Sequence, residues 1–148
     1  MTASSEALAR RLAAIPAEIV AMIQPALIRS VMEIAGDARA LAEATRRTGT
    51  LIDSIAATGP SGTTPNYSSE GGARTLGPTQ AAVTAGEPDA RHGHLVEFGT
   101  EERQRKDGSS TGTMPASPFL LPAWRLNRAR VERRINTAIR KAIREASQ

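Results

Sequence analysis

Apolar residues recur at alternating steps of four and three along the first part of this chain: Leu8, Leu12, Ile15, Ile19, Met22 and Ala26. A helix of 3.6 residues per turn collects such positions on one face, so residues 4–47 read as helical. The stripe continues as Leu27, Val31, Ile34, Ala38 and Leu41, displaced by one position, and the change of phase falls beside Pro25. Proline has no amide proton and its ring collides with the preceding turn, so Pro16 and Pro25 mark where one helix bends or two meet. About 25 helical residues at 1.5 Å each extend roughly 38 Å, more than a small core requires, which points to a helix that projects or packs between subunits.

The other end shows the same period. After Pro118, with Pro122 in the first turn where its fixed φ is tolerated, Trp124, Val131, Ile135, Ala138, Ile139, Ala142 and Ile143 share one helical face. Arg130, Arg133, Arg134, Arg140, Lys141 and Arg144 lie largely opposite. Residues 118–148 therefore read as a basic amphipathic helix. The chain's formal charge of +4 is unevenly spread: residues 119–148 hold eight basic and two acidic side chains, and residues 1–118 hold eleven basic and thirteen acidic. Arginine forks match phosphate oxygens, and several together give salt-dependent attraction without sequence preference. The same residues also suit a solvated face that offsets the negative helix end. No helix-turn-helix spacing is visible, which argues against sequence-specific DNA reading.

Between the helices, residues 48–100 read as a small antiparallel sheet. Gly49 is placed as the C-cap of the preceding helix. A short helix or a strand start follows, with strands expected over 52–57, 81–85 (AAVTA) and 94–98 (HLVEF), which hold the β-branched and aromatic residues that strands favour. Residues 59–78, dense in Gly, Ser, Thr and Pro, have the composition of a mobile loop, and 101–117 form a second polar loop. The expectation is one α+β domain over 1–148: an N-terminal helical region over 1–47, the sheet over 48–100, the loop over 101–117 and the basic helix over 118–148.

Several chemistries find no support. With 148 residues and 3% aromatic content (Tyr67, Phe98, Phe119, Trp124), one lightly cored domain is expected, which partners stabilise by mass action. The absence of cysteine removes disulfides, thiolate metal sites and a Cys nucleophile. The first twenty residues have arginines where an export signal needs an apolar run, and no uninterrupted apolar stretch approaches the ~20 residues that span a bilayer. A protein without membrane contact is expected. His92 and His94, with Glu97 or Asp89, form at best an incomplete metal set, and the histidines read instead as exposed or hydrogen-bonded. No GxSxG, GxGxxG or GK[ST] pattern occurs, so no catalytic residue, metal or cofactor is assigned and no enzyme is expected.

Three stretches in order carry a family likeness: TGTLIDSI over 48–55, HGHLVEFGT over 92–100 and MPASPFLLPAW over 114–124. Together they resemble the tail-component family of long-tailed phages, whose members are described as tail-completion, neck or head-tail joining proteins. The motif positions here are Gly49, Leu51, Ser54, Ile55, Val96, Glu97, Phe98, Gly99, Thr100, Pro118, Phe119, Leu120, Pro122 and Trp124. Gly99 permits a turn. Phe119, Leu120 and Trp124 are expected to anchor the final helix to the sheet, with Glu97 accepting hydrogen bonds from the neighbouring turn. The polar insert over 101–117 departs from the family pattern.

The resemblance implies a virion structural protein at the head-tail junction, made in the host cytoplasm and assembled as a homo-oligomeric ring of six copies. Its neighbours would be head-closure or connector proteins on one side and tail-terminator or tail-tube proteins on the other. Non-specific contact with DNA in the channel, through Arg130, Arg133, Arg134, Arg140, Lys141 and Arg144, is compatible with that placement. A tail-terminator ring is the nearest alternative, and a small nucleic-acid-binding protein is the alternative from another class.

Overall fold

The computed structural model describes residues 17–44, 49–66, 72–86, 93–102 and 104–146. The expectations placed on residues 4–16, Thr48, Asp89 and His92 lie outside them. In chain order the elements are α1 (Ala17–Glu43), α2 (Thr50–Asp53), β1 (Ile55–Thr58), β2 (Ala82–Ala85), α3 (Gly93–Phe98) and α4 (Leu120–Ala146). The architecture is α+β, with a long N-terminal helix, a two-stranded antiparallel sheet and a long C-terminal helix.

α1 and α4 run antiparallel along a shared seam. Ile19 and Ile23 meet Ala142 near the end of α4, whereas Ile34, Ala35, Ala38 and Ala42 join Ile55, Phe119, Ala123 and Val131 at the other end. Ala35, Ala38, Ala42, Ala123 and Ala142 are all buried, and such small side chains let two helix backbones approach closely. They make up five of the twelve buried hydrophobic residues among those described, a light core of the kind that the scarcity of aromatic residues predicts.

Pro25 lies inside α1 without dividing it; the helix is continuous over 27 residues. α1 is also long and apolar enough, by length and composition, to cross a membrane, with a mean hydropathy of 1.4 over an 18-residue window. In this fold the apolar face of α1 is the core side of the seam.

β1 and β2 pair in register from Ile55 opposite Ala85 to Thr58 opposite Ala82. The ribbon continues into the segment whose composition suggests a mobile loop. Ser61 N–H donates to the Gly77 carbonyl at 3.1 Å, Leu76 N–H to Gly62 at 2.8 Å and Thr64 N–H to Arg74 at 2.9 Å. Thr63 and Thr75 pair as an isolated bridge. β-Branched threonines at 63, 64 and 75 supply a strand tendency that the surrounding Gly and Pro content hides.

The expected third strand, 94–98, is helical: α3 covers it, and Gly99 N–H closes on the Leu95 carbonyl at 2.8 Å. Five residues with three apolar side chains fit either period, and here the helix brings Glu97 to the start of α4. Gly49 also differs from expectation. It stands at the N-cap of α2 with φ +86°, six residues beyond the end of α1, a left-handed conformation that glycine adopts without penalty.

Candidate functional site

The family-motif residues converge where α3 meets α4. A helix start leaves its first amides without intrahelical partners, and each needs an acceptor when buried. Here Glu97, buried at the end of α3, reaches across with both carboxylate oxygens. Oε2 accepts from Phe119 N–H at 2.7 Å and Leu120 N–H at 2.9 Å, and Oε1 accepts from Leu121 N–H at 2.8 Å. The next residue, Pro122, has no amide hydrogen to satisfy, and Ala123 N–H begins the helical ladder by donating to Phe119 at 3.2 Å. All four opening positions are thereby accounted for. A negative group at this end also complements the helix dipole.

The surrounding motif residues fix that arrangement. Ser117 N–H donates to the Val96 carbonyl at 2.8 Å, one residue ahead of Pro118. Gly99 has φ +74°, and a Cβ there would meet Ala116 N at 2.8 Å and Met114 O at 2.9 Å, so the backbones pass too closely for a side chain. Thr100 N–H donates to Met114 O at 2.9 Å, and its hydroxyl accepts from Met114 N–H at 2.9 Å. Beyond this clasp the insert is a polar hairpin: Gln104 bridges Ser110, and Arg105 N–H donates to Ser109 O at 2.8 Å.

The upstream motif is structural in the same sense. Leu51 packs half-buried on the core and Ile55 is fully within it. The Ser54 hydroxyl donates to Leu51 O at 2.7 Å and accepts from Gly86 N–H at 3.2 Å, which ties α2 to the end of β2. The Ile55 carbonyl accepts from Arg39 of α1 at 2.5 Å.

The three expected anchors differ in burial. Phe119 is buried and Leu120 packs half-buried against the core. Trp124 instead stands 41% exposed at the rim of a cleft of about 380 Å³ between α1, β2 and α4. Phe98 is 71% exposed.

The basic residues divide into two groups. Arg134, read from sequence as facing DNA or a partner, is committed to α1: its guanidinium donates to both Glu33 oxygens at 2.9 and 2.7 Å and to the Ser30 hydroxyl at 3.0 Å. Arg130 approaches the same carboxylate at 4.0 Å, and Lys141 lies 3.8 Å from Glu145. Arg133, Arg140 and Arg144 are exposed, and their spacing of seven and four puts them on the outward side of α4. Hydrogen bonding to Arg134 is the main cause that holds the Glu33 carboxyl below its ordinary value.

Sequence reasoning missed Asn127, which is fully buried in the seam. Its amide donates to Asp37 at 2.6 Å and to Ala123 O at 2.9 Å. The available signal was a polar residue four positions from both Ala123 and Val131, on the apolar face of α4. Among the candidate metal ligands, Glu97 is occupied by the α4 amides and His94 is exposed. The described residues hold no group of three side chains able to ligate a metal.

These residues define an α+β body whose motif side chains hold one segment to another. The family model "Bacteriophage HK97-gp10, putative tail-component" matches residues 6–99, and the chain belongs to that bacteriophage family. The match contains TGTLIDSI and most of HGHLVEFGT and ends before the helix that Glu97 caps. No curated protein and no solved structure matches the chain.

Glu97→Ala is expected to lower the urea-unfolding free energy by about 2–4 kcal/mol, since three amides lose a charged acceptor. Glu97→Gln, keeping one acceptor oxygen, should recover part of that loss. A change within about 0.5 kcal/mol for the alanine variant would show that the cap is dispensable. Glu33 gives a pH signature. Because its folded pKa lies below the ordinary 4.5, its contribution is complete above that value and fades as pH falls through the folded pKa. The thermal-stability gap between the parent chain and Glu33→Gln should therefore narrow below about pH 4.5; a gap that stays constant down to about pH 2 would rule the ion pair out as its source.

Proposed function

We propose that this chain is a non-enzymatic structural protein of the phage head-tail junction, a tail-completion or neck subunit acting as one member of a homo-oligomeric ring. Membership of the tail-component family is the observation that carries this reading. The construction of the body supports it: the motif side chains are spent on joining α2 to β2 and α3 to α4, while large apolar groups stay on the surface. Met32 is 63% exposed, Leu126 66% and Phe98 71%, and Trp124 is 41% exposed. A lightly cored subunit with apolar groups outside gains stability by association.

Its neighbours in this reading are head-closure or connector proteins above and tail-terminator or tail-tube proteins below, with assembly in the host cytoplasm. Purified virions of the encoding phage should contain the chain at the junction by cryo-electron microscopy, and the isolated protein should form rings in native mass spectrometry. Loss of the gene should leave unjoined heads and tails. Absence from virions, with normal infectivity after gene loss, would sink the proposal.

Arg133, Arg140 and Arg144, on a side of α4 away from Glu33, favour non-specific binding to DNA passing through the ring. Neutralising all three to Gln should make the salt slope of DNA affinity shallower by about 0.9 for each phosphate that is no longer neutralised. An unchanged slope would mean that this side of α4 faces solvent or protein.

A further inference from the structure

We infer that the exposed Phe98 of one copy of this chain seats in the hollow that Pro25, Ile28 and Met32 form on the outer side of α1 of a second copy. This rests on the ring assembly proposed above. The hollow, about 520 Å³, is completed by Arg29 and Glu33, and Pro25, Ile28, Arg29 and Met32 all stand exposed. Its chemistry selects an aromatic occupant. The Met32 thioether is polarizable and makes favourable contacts with ring edges, and a guanidinium such as that of Arg29 attracts the face of a ring. One carboxylate there serves three guanidiniums: Glu33 accepts from Arg134 at 2.9 and 2.7 Å and from Arg29 at 3.3 Å, with Arg130 at 4.0 Å. The cluster is left net positive on the side of Arg29, which fits a segment that carries an acid beside its aromatic group.

The chain itself presents such a segment. Among the described residues Phe98 is the most exposed aromatic side chain, and it lies outside both apolar clusters of the core. Glu101, three positions on, is exposed as well, whereas Arg105 and Lys106 stand at the hairpin tip, beyond the bridge of Gln104 with Ser110. Trp124, the other exposed aromatic group, lines the cleft between α1, β2 and α4 instead. Knob and hollow do not meet within one copy. Glu97, next to Phe98, is bound to Leu121 at the start of α4, while the hollow lies beside Glu33, which Arg134 reaches from farther along the same helix. α4 rises roughly 20 Å from Leu121 to Arg134, and that length of helix holds the two features apart. A knob at one place on a body and its socket at another make a heterologous contact, which repeats from copy to copy and closes into a ring where the rotation permits.

The contact can be broken from either side. Phe98→Ser removes the knob, and Met32→Glu puts an acid into the hollow, facing Glu101; both positions are exposed, and circular dichroism checks that each variant is folded. Each alone should dissociate where the unmutated chain is assembled in native mass spectrometry, its contact weakened roughly 30-fold or more, as for a central aromatic anchor. Mixed, the two should form a one-to-one dimer and nothing larger, because only the knob of one and the hollow of the other remain intact. Arg29→Glu and Glu101→Arg should each weaken assembly about fivefold, and a chain carrying both should recover it. If Phe98→Ser and Met32→Glu still form rings as readily as the unmutated chain, the inference fails and the ring reading stands. Loss of assembly in both without the one-to-one dimer on mixing overturns the inference, as does a doubly swapped chain no tighter than either single swap. If the unmutated chain forms open chains that both variants abolish, and never rings, the docking holds and the ring reading fails. An unmutated chain that stays monomeric at millimolar concentration overturns both.

Discussion

The Glu97 carboxylate closes the start of α4 from outside that helix. It takes three amides at the opening of a 27-residue helix from a helix of six residues more than twenty positions upstream. A local cap would come from the residue just before the helix, and Phe119 has no side-chain oxygen to offer. The start of α4 is thus fixed by α3, and through Phe119 the same point is fixed to the core. Gly99 belongs to this device: only a residue without Cβ lets the chain leaving α3 pass so close to residues 114–116.

The seam between α1 and α4 adds a second constraint, its register. Alanines packed on alanines tolerate sliding, because one small residue replaces another with little change in shape. The polar contacts do not. Asn127 meets Asp37, and Arg134 meets Glu33 and Ser30, at matched positions along antiparallel helices. A slip of one turn would leave a buried amide and a largely buried guanidinium without their partners, a cost larger than the apolar contacts could restore.

Both long helices are legible in the sequence because a 3.6-residue period repeated over five or more turns is a strong signal, and β1 and β2 fall within or beside the expected strands. What the period cannot show is pairing across the chain. HLVEF is too short to distinguish helix from strand, and only contact with the start of α4 decides it. Arg134 looks like its neighbours in sequence; its place beside the apolar face, opposite Glu33, makes it internal. Trp124 has the size of an anchor, yet it stands 41% exposed at the rim of the cleft. Pro25 has the chemistry of a breakpoint, but its place in a helix packed along most of its length lets tertiary contacts outweigh one missing amide hydrogen bond.

The polar hairpin leaves the body between Thr100 and Met114, and those two residues join it twice at the base. Everything needed to start α4 lies on the near side of that clasp. Closure entropy grows only with the logarithm of loop length, so residues can be inserted or deleted at the tip at small thermodynamic expense. Relatives can then diverge there in length and chemistry, exchanging one neighbour's fit for another's, while the frame beneath keeps its shape.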